Sequence, residues 1–399
     1  MSKSMTILFV AMSNSIHTAR WLSQISDQGW DIHLFSSINA ARIHPDIRNL
    51  TFYNTFYSDR GNRHDSVVVK GFRLYSDFLV NFIQNAVARV FPGYRSRKLA
   101  NLIKHLKPDL IHSLEIQNAG YLTLEAKKIY DGDFPSWIVT NWGSDIYLFG
   151  RLSKHVQKIK DVMSACDYYD CECDRDIELA RNFGFKGKVL PVLPNSGGFD
   201  IKRMHQHRQS GPTSERRLIL LKGYQGWAGR ALVGLRAIEL SADVLQGYHV
   251  AVYLAGRDVR LAAELVSYST GIPIKIIPNS PHEEILHLHG SARLSIGLSI
   301  SDAISTSMLE AMIMGSFPIQ SNTSCTDEWL RDGQTGMIVH PEDPEAVGEA
   351  IRHAVTDDTL VDRAADINFQ IASERLDQSV IQPQVVAMYE NVAAHDNSI

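Results

Sequence analysis

Short apolar runs alternate with longer amphipathic stretches along nearly all of this chain, and the series is broken only once. The first series has strand-like runs at 6–11, 31–36, 109–113, 136–140 and 168–173, with a helical stretch over 18–26 after the first. A short apolar run bounded by breakers reads as a strand buried on both faces. Strands alternating with helical patterns read as βαβ units in a parallel sheet. At 191–198 the pattern gives way to Pro191-Val-Leu-Pro-Asn-Ser-Gly-Gly198, and a polar stretch follows at 206–215. These read as a linker between domains. The second series has strands at 217–222, 249–256, 273–277, 293–300, 317–321 and 336–340. Its helices are expected at 231–241, 283–290 and 306–314, then over 344–355 and 359–393. The expected fold is therefore α/β, with two doubly wound Rossmann-like domains facing a cleft. Their expected bounds are 1–198 and 199–374, with a final helix at about 375–395 packing back on the first. Sheets of this kind bind ligands at the carboxyl ends of their strands.

Composition narrows the class of protein. Hydrophobic residues make up 44% of the 399, enough for two cores. No run of about 18 apolar residues occurs, so no membrane-spanning helix is expected. Met1-Ser2-Lys3-Ser4 leads into the first strand without a signal-peptide pattern. Cys166, Cys171, Cys173 and Cys325 lack zinc-site spacing and read as buried or free thiols in a reducing compartment. A cytoplasmic protein is the expectation, with no nucleic-acid partner. The net charge of −4 is uneven: residues 1–200 carry 24 Lys and Arg against 20 Asp and Glu, and the rest 16 against 24. The basic excess concentrates at 71–107, where seven Lys and Arg face one acid, Asp77. Apolar residues from Phe72 to Phe91 recur there at rough helical spacing until Pro92. That reads as a basic amphipathic helix. It either covers the sheet or makes peripheral contact with an anionic membrane through about 72–98, at the inner face.

Chemistry-bearing residues cluster in the loops after strands. The first loop, Met12-Ser13-Asn14-Ser15-Ile16-His17, has no glycine. A dinucleotide-binding domain needs G-x-G-x-x-G at this place, which counts against an NAD(P)-dependent oxidoreductase. Ser15 is a helix N-cap candidate. His17 reads either as an acceptor-orienting group or as a surface histidine. In the second series, a polar loop carries Asp302, and a helix opens at Ser305 and Thr306. Its free N–H groups and positive dipole end suit a diphosphate. Glu310, about one turn into that helix, is placed to accept from a ribose diol, and Asp302 to grip sugar hydroxyls. In Lys222-Gly223-Tyr-Gln-Gly226-Trp-Ala-Gly229-Arg230, the glycines let a backbone approach phosphates. A Lys and an Arg neutralise a diphosphate leaving group where no metal does. In the first series, Trp142 either stacks on a sugar ring or fills the core, and Asp145 binds an acceptor hydroxyl or caps a helix. His112 and Glu115 end a neighbouring strand and are further acceptor-side candidates.

Asp302, seven residues, Glu310-Ala311-Met312 and then Gly315-Ser316-Phe317-Pro318 together resemble the signature of the retaining GT-B glycosyltransferases of family 4. The resemblance extends from about residue 6 to 391. It implies that Asp302 meets the donor sugar, Glu310 the ribose, and Lys222 and Arg230 the diphosphate. It further implies a nucleotide diphosphate sugar as substrate, no cofactor, no metal ion and a glycan or glycolipid acceptor, in polysaccharide or glycolipid biosynthesis. The family's first acid is normally Glu, where this chain has Asp302. Its glycine-rich loop appears as Ala303 and Ser305, and its His-Gly-x-Asp as Trp142-Gly143-Ser144-Asp145. These departures keep two other readings open: a nucleotide-sugar epimerase-like enzyme on the same fold, and a non-catalytic sugar-nucleotide-binding protein.

Overall fold

The computed structural model describes residues 4–39, 42–58 and 66–396. They form two compact units: one runs to Gly197 and resumes at Ile381, and the other is Gly198–Val380.

The first unit is built on an eight-stranded sheet. Its strands are Thr6–Ala11 (β1), Asp31–Ser36 (β2), Leu50–Ser58 (β3), Val67–Leu74 (β4), Leu110–Leu114 (β5), Ser136–Thr140 (β6), Tyr168–Asp170 (β7) and Lys188–Val189 (β8). Their spatial order is β4-β3-β2-β1-β5-β6-β7-β8. Every neighbouring pair is parallel, and β1 and β5 are buried along their whole length. The order reverses direction between β1 and β5, so the loops leaving these two strands diverge there and leave room at their carboxyl ends.

The second unit repeats the plan with Leu218–Lys222 (β9), His249–Tyr253 (β10), Ile274–Ile276 (β11), Ala292–Gly297 (β12), Phe317–Ser321 (β13) and Met337–Val339 (β14). Its order, β11-β10-β9-β12-β13-β14, is that of a six-stranded dinucleotide-binding sheet, again fully parallel. The switch point lies between β9 and β12. A helix, Thr306–Met314, follows β12 and is buried at every residue from Ser307 onward. Ala311, Met312, Ile313 and Met314 are apolar on successive positions, so this helix sits at the centre of the unit rather than on its surface.

Two sequence expectations are corrected. The stretch 72–91 is not one helix. Val67, Val68 and Val69 begin β4, Phe72 and Leu74 belong to it, and the helix is Asp77–Val90. β-branched residues pack well on a pleated sheet and stiffen a helix, which decides the earlier part for strand. Leu50–Ser58 is also a strand, one that the apolar pattern did not mark. The helical pattern over 359–393 is two helices, Asp358–Leu376 and Gln378–Asp396. Between them Asp377 is extended, and Phe199 inserts by accepting from Gln378 N (2.9 Å) and donating to Leu376 O (2.8 Å). No described helix is long and apolar enough to cross a membrane. All four cysteines are buried, and none forms a disulfide among the described residues.

The last helix joins the first unit through a chain of buried hydrogen bonds. Trp21 Nε1 donates to the Tyr389 hydroxyl (2.8 Å), which contacts His112 Nδ1 (2.7 Å). His112 Nε2 contacts the Thr140 hydroxyl (2.5 Å), and that hydroxyl donates to Asp170 Oδ2 (2.7 Å). One set of protons satisfies all four bonds, with each group donating toward Asp170 and His112 carrying its proton on Nε2. Burial pushes His112 down to about 3, so the ring is neutral.

Candidate functional site

In the second unit the loops leaving β9 and β12 are stitched together at the switch point. Arg230 N donates to Leu298 O (3.0 Å), and Ile300 N to Ala228 O (2.9 Å). This brings Lys222, at the end of β9, beside the loop of Asp302 and the start of the helix Thr306–Met314. Gly223 is required here. A Cβ would lie 2.7 Å from both the Tyr253 carbonyl oxygen and Val252 Cγ1. Tyr224 faces Asp302: its hydroxyl is raised by burial and by that carboxylate. Asp302 Oδ1 accepts from Ala303 N (3.0 Å).

Ser305 occupies the N-cap position in extended conformation, yet its side chain makes no capping hydrogen bond and instead meets the Ser307 hydroxyl (3.0 Å). The first turn therefore keeps backbone N–H groups for something other than its own cap. One turn on, the buried Glu310 carboxylate accepts from His282 Nε2 (2.7 Å). His289 presents its Nε2 at 3.9 Å from the other carboxylate oxygen, and this buried nitrogen has no hydrogen-bond partner among the described residues. Burial drives His289 down to about 4, outweighing the pull of Glu310, so it is neutral and makes no ion pair. Tyr253 is raised by burial and by Glu310, and bonds Ser307. Lys222 lies close enough to depress His289 further. A carboxylate, an ammonium, uncapped N–H groups and an unpartnered imidazole nitrogen thus converge at one edge of one sheet. That set can accept from a diol and donate to an anion.

Arg230 is placed differently from its expectation. Its guanidinium pairs with Glu342 (2.9 Å) and donates to the carbonyls of Gly226 (3.3 Å) and Gly229 (3.0 Å). It closes its own loop, so only Lys222 of the expected basic pair faces the Glu310 cluster. Sequence reading missed His282 and His289. Both lie on or at the start of the helix His282–Ser291, where the periodicity marked a helix but gave no sign of the facing carboxylate.

In the first unit the candidates again gather after β1, β5 and β6. Ser15 caps the helix Ile16–Ser23 by accepting from His17 N (3.2 Å). The half-buried His17 and Trp142 rings meet at 5.4 Å. Trp142 is therefore neither free on the surface nor sealed in the core. Glu115 and Asp145 are buried. Glu115 accepts from Asn118 N (2.8 Å) and Ala119 N (2.5 Å); Asp145 accepts from Ile116 N and Trp142 N, both at 2.9 Å. Burial raises both carboxyls, and their mutual repulsion adds to it for Asp145. They hold the two loops in shape. Glu115 does so at a positive φ of 84°, a conformation a non-glycine residue adopts at a cost of order 1–3 kcal/mol. His112 is a correction: it is fully buried in the chain ending at Asp170 and presents nothing to an acceptor.

Two family models match the chain. The family model "Glycosyl transferases group 1" matches residues 235–369, across Asp302 and Glu310. The model "Glycosyl transferase 4-like" matches 6–65 and 88–169. Together they span well over half of the chain. No curated protein matches the sequence. Among solved structures, sucrose-phosphate synthase from Thermosynechococcus elongatus aligns with a TM-score of 0.71 at 13% identity, covering 98% of this chain and 100% of that one. HepE from Anabaena, solved in complex with UDP-glucose, aligns at 0.66 and 13%, covering 97% and 100%. A structure from E. coli, described as trehalose-6-phosphate bound with UDP-2-fluoro glucose, aligns at 0.68 and 12%, covering 97% and 99%.

Proposed function

This chain belongs to the GT-B glycosyltransferases, and from that premise we propose that its second unit binds a nucleotide diphosphate sugar through Glu310 and Lys222 and that a glycan or glycolipid acceptor is served by the first. The observation that carries this reading is the buried Glu310 carboxylate, one turn into an uncapped central helix at the switch point of the sheet, with Lys222 close enough to act on the neighbouring His289. Glu310 takes the ribose hydroxyls, with His289 Nε2 as a second partner for the diol. The diphosphate rests on the N–H groups at Ser305 and Thr306, and on Lys222, with Gly223 allowing the close approach. Asp302, at the loop before the helix, holds the sugar. Arg230 becomes the second cation only by exchanging Glu342 for phosphate.

Transfer proceeds with retention and without a metal ion. The acceptor hydroxyl attacks the anomeric carbon on the face that the diphosphate leaves. A carbon–oxygen bond to the acceptor forms, the bond to the β-phosphate breaks, and the acceptor's proton passes to the departing phosphate oxygen. The protein supplies position and charge stabilisation rather than a nucleophile. On the acceptor side, Ser15, His17 and Trp142 form the reachable surface. Glu115 and Asp145 hold the loops that carry it. Solved neighbours bound to UDP-glucose or its fluoro analogue support UDP as the first base to try. The test is release of nucleoside diphosphate that depends on an added acceptor, with the product's anomeric configuration read by NMR. Free sugar formed without acceptor would instead favour an epimerase-like reaction, and donor binding without turnover a non-catalytic protein.

A further inference from the structure

The helix Asp77–Val90 faces the wrong way for a helix that merely covers a sheet. Only Val80 and Gln84 are buried, and Gln84 is polar, held by Asn54 Oδ1 (3.1 Å) and Phe56 O (2.9 Å). The large apolar residues point outward. Phe78 is 76% and Phe82 63% exposed, with Leu79 and Val90 following at helical spacing. Tyr75 (82%) and Phe72 extend this surface back along the chain to the edge strand β4, and Phe91 extends it past the helix end. Phe78 and Phe82 stack on one another at 6.4 Å, one turn apart. An exposed aromatic surface on this scale is uncommon on a soluble monomer and marks a contact site.

Charge identifies the occupant. Residues 71–107 carry +6, while the rest of the chain carries −10. Arg73, Arg89, Arg97 and Lys104 are exposed around or beyond the apolar residues. The one acid, Asp77, is paired with Arg42 (2.6 Å) and adds no free negative charge. A second copy joined symmetrically through this face would set these exposed arginines and lysines against their own counterparts. An acidic lipid surface fits both halves of the pattern: aromatic side chains enter the headgroup layer, and flanking Lys and Arg meet the phosphates.

We propose that the β4 edge and the helix Asp77–Val90 are a docking surface for an anionic lipid bilayer. It lies wholly in the first unit and holds independently of the donor chemistry above.

Co-sedimentation of the full chain with phosphatidylcholine vesicles, with and without phosphatidylglycerol, tests it. The wild type is expected to pellet with the anionic vesicles and to be released by salt. Phe78→Ser/Phe82→Ser should lower the partition coefficient at least tenfold. Arg73→Gln/Arg89→Gln should lower it roughly thirty-fold. These are surface positions, so both variants should melt with the wild type, which separates lost docking from lost folding. Retention of the wild type in the supernatant with anionic vesicles would overturn the proposal. So would equal pelleting of all three proteins, or a wild-type dimer that Phe78→Ser/Phe82→Ser turns into monomer, which would assign the surface to a second copy.

Discussion

His282 Nε2 lies 2.7 Å from Glu310 Oε1, so the carboxylate assigned to the donor ribose is held from one side by a half-exposed imidazole. The bond orients the carboxylate while leaving its second oxygen toward His289. Truncating the imidazole (His282→Ala) should weaken donor affinity about fivefold, the loss of roughly 1 kcal/mol from a partly exposed hydrogen bond to a charged group. Titration calorimetry checks it. Tighter donor binding in the variant would mean that His282 competes with the ribose.

Lys222 is the cation of the expected pair that faces the Glu310 cluster, while Arg230 is engaged by Glu342. Lys222→Gln should therefore lower kcat by about a hundredfold, the scale of losing one preorganised charge at a developing anion. Donor KM should change much less. A larger effect on KM than on kcat would make Lys222 a ground-state binder instead.

Adding one methyl at Gly223 should perturb both fold and site, because the Cβ would press on the Tyr253 carbonyl and Val252 at 2.7 Å. Gly223→Ala should cost about 1–3 kcal/mol in urea unfolding and weaken nucleotide binding with it. Unchanged stability would show that the β9 loop shifts freely.

Tyr389 bridges Trp21 and His112 inside the first unit. Tyr389→Phe leaves a buried indole N–H and a buried imidazole nitrogen without that partner. A loss of about 2–4 kcal/mol follows, with nucleotide stabilisation unaffected because Glu310 lies in the other unit. Loss of nucleotide binding along with stability would contradict this division.

Asp170 ends the same chain of bonds, and burial raises its carboxyl from 3.8 to about 7. Between about pH 4 and 7 the folded state then holds more protons at this position than the unfolded state, so its contribution to stability falls as pH rises through that window. Asp170→Asn removes the titration while its amide oxygen still accepts from Thr140. Stability of the variant relative to wild type should rise from pH 5 to pH 8. A flat difference would show that Asp170 does not titrate there.

Much of this was legible in the sequence because buried parallel strands are short, apolar and sharply bounded. The runs at 6–11, 31–36, 136–140 and 317–321 coincide with β1, β2, β6 and β13. The helix opening at Thr306 was visible because a polar loop meets an apolar run there. What stayed hidden depends on tertiary partners. Sequence spacing cannot show that Glu342 occupies Arg230, nor that His282 and His289 face Glu310 from another helix. The run 72–91 misled because helical spacing persists across the β4 end.

The central claim is that Glu310 holds the nucleotide, and thermal unfolding with UDP, GDP, ADP, CMP and their sugar conjugates tests it most directly. Ligand at about 100 times Kd stabilises by about 2.7 kcal/mol, or roughly 2–4 °C in a chain of this size. One base should raise the melting temperature of the wild type and leave Glu310→Ala unmoved. An equal shift in both proteins would contradict the role of Glu310, and no shift with any nucleotide would contradict donor binding at this site.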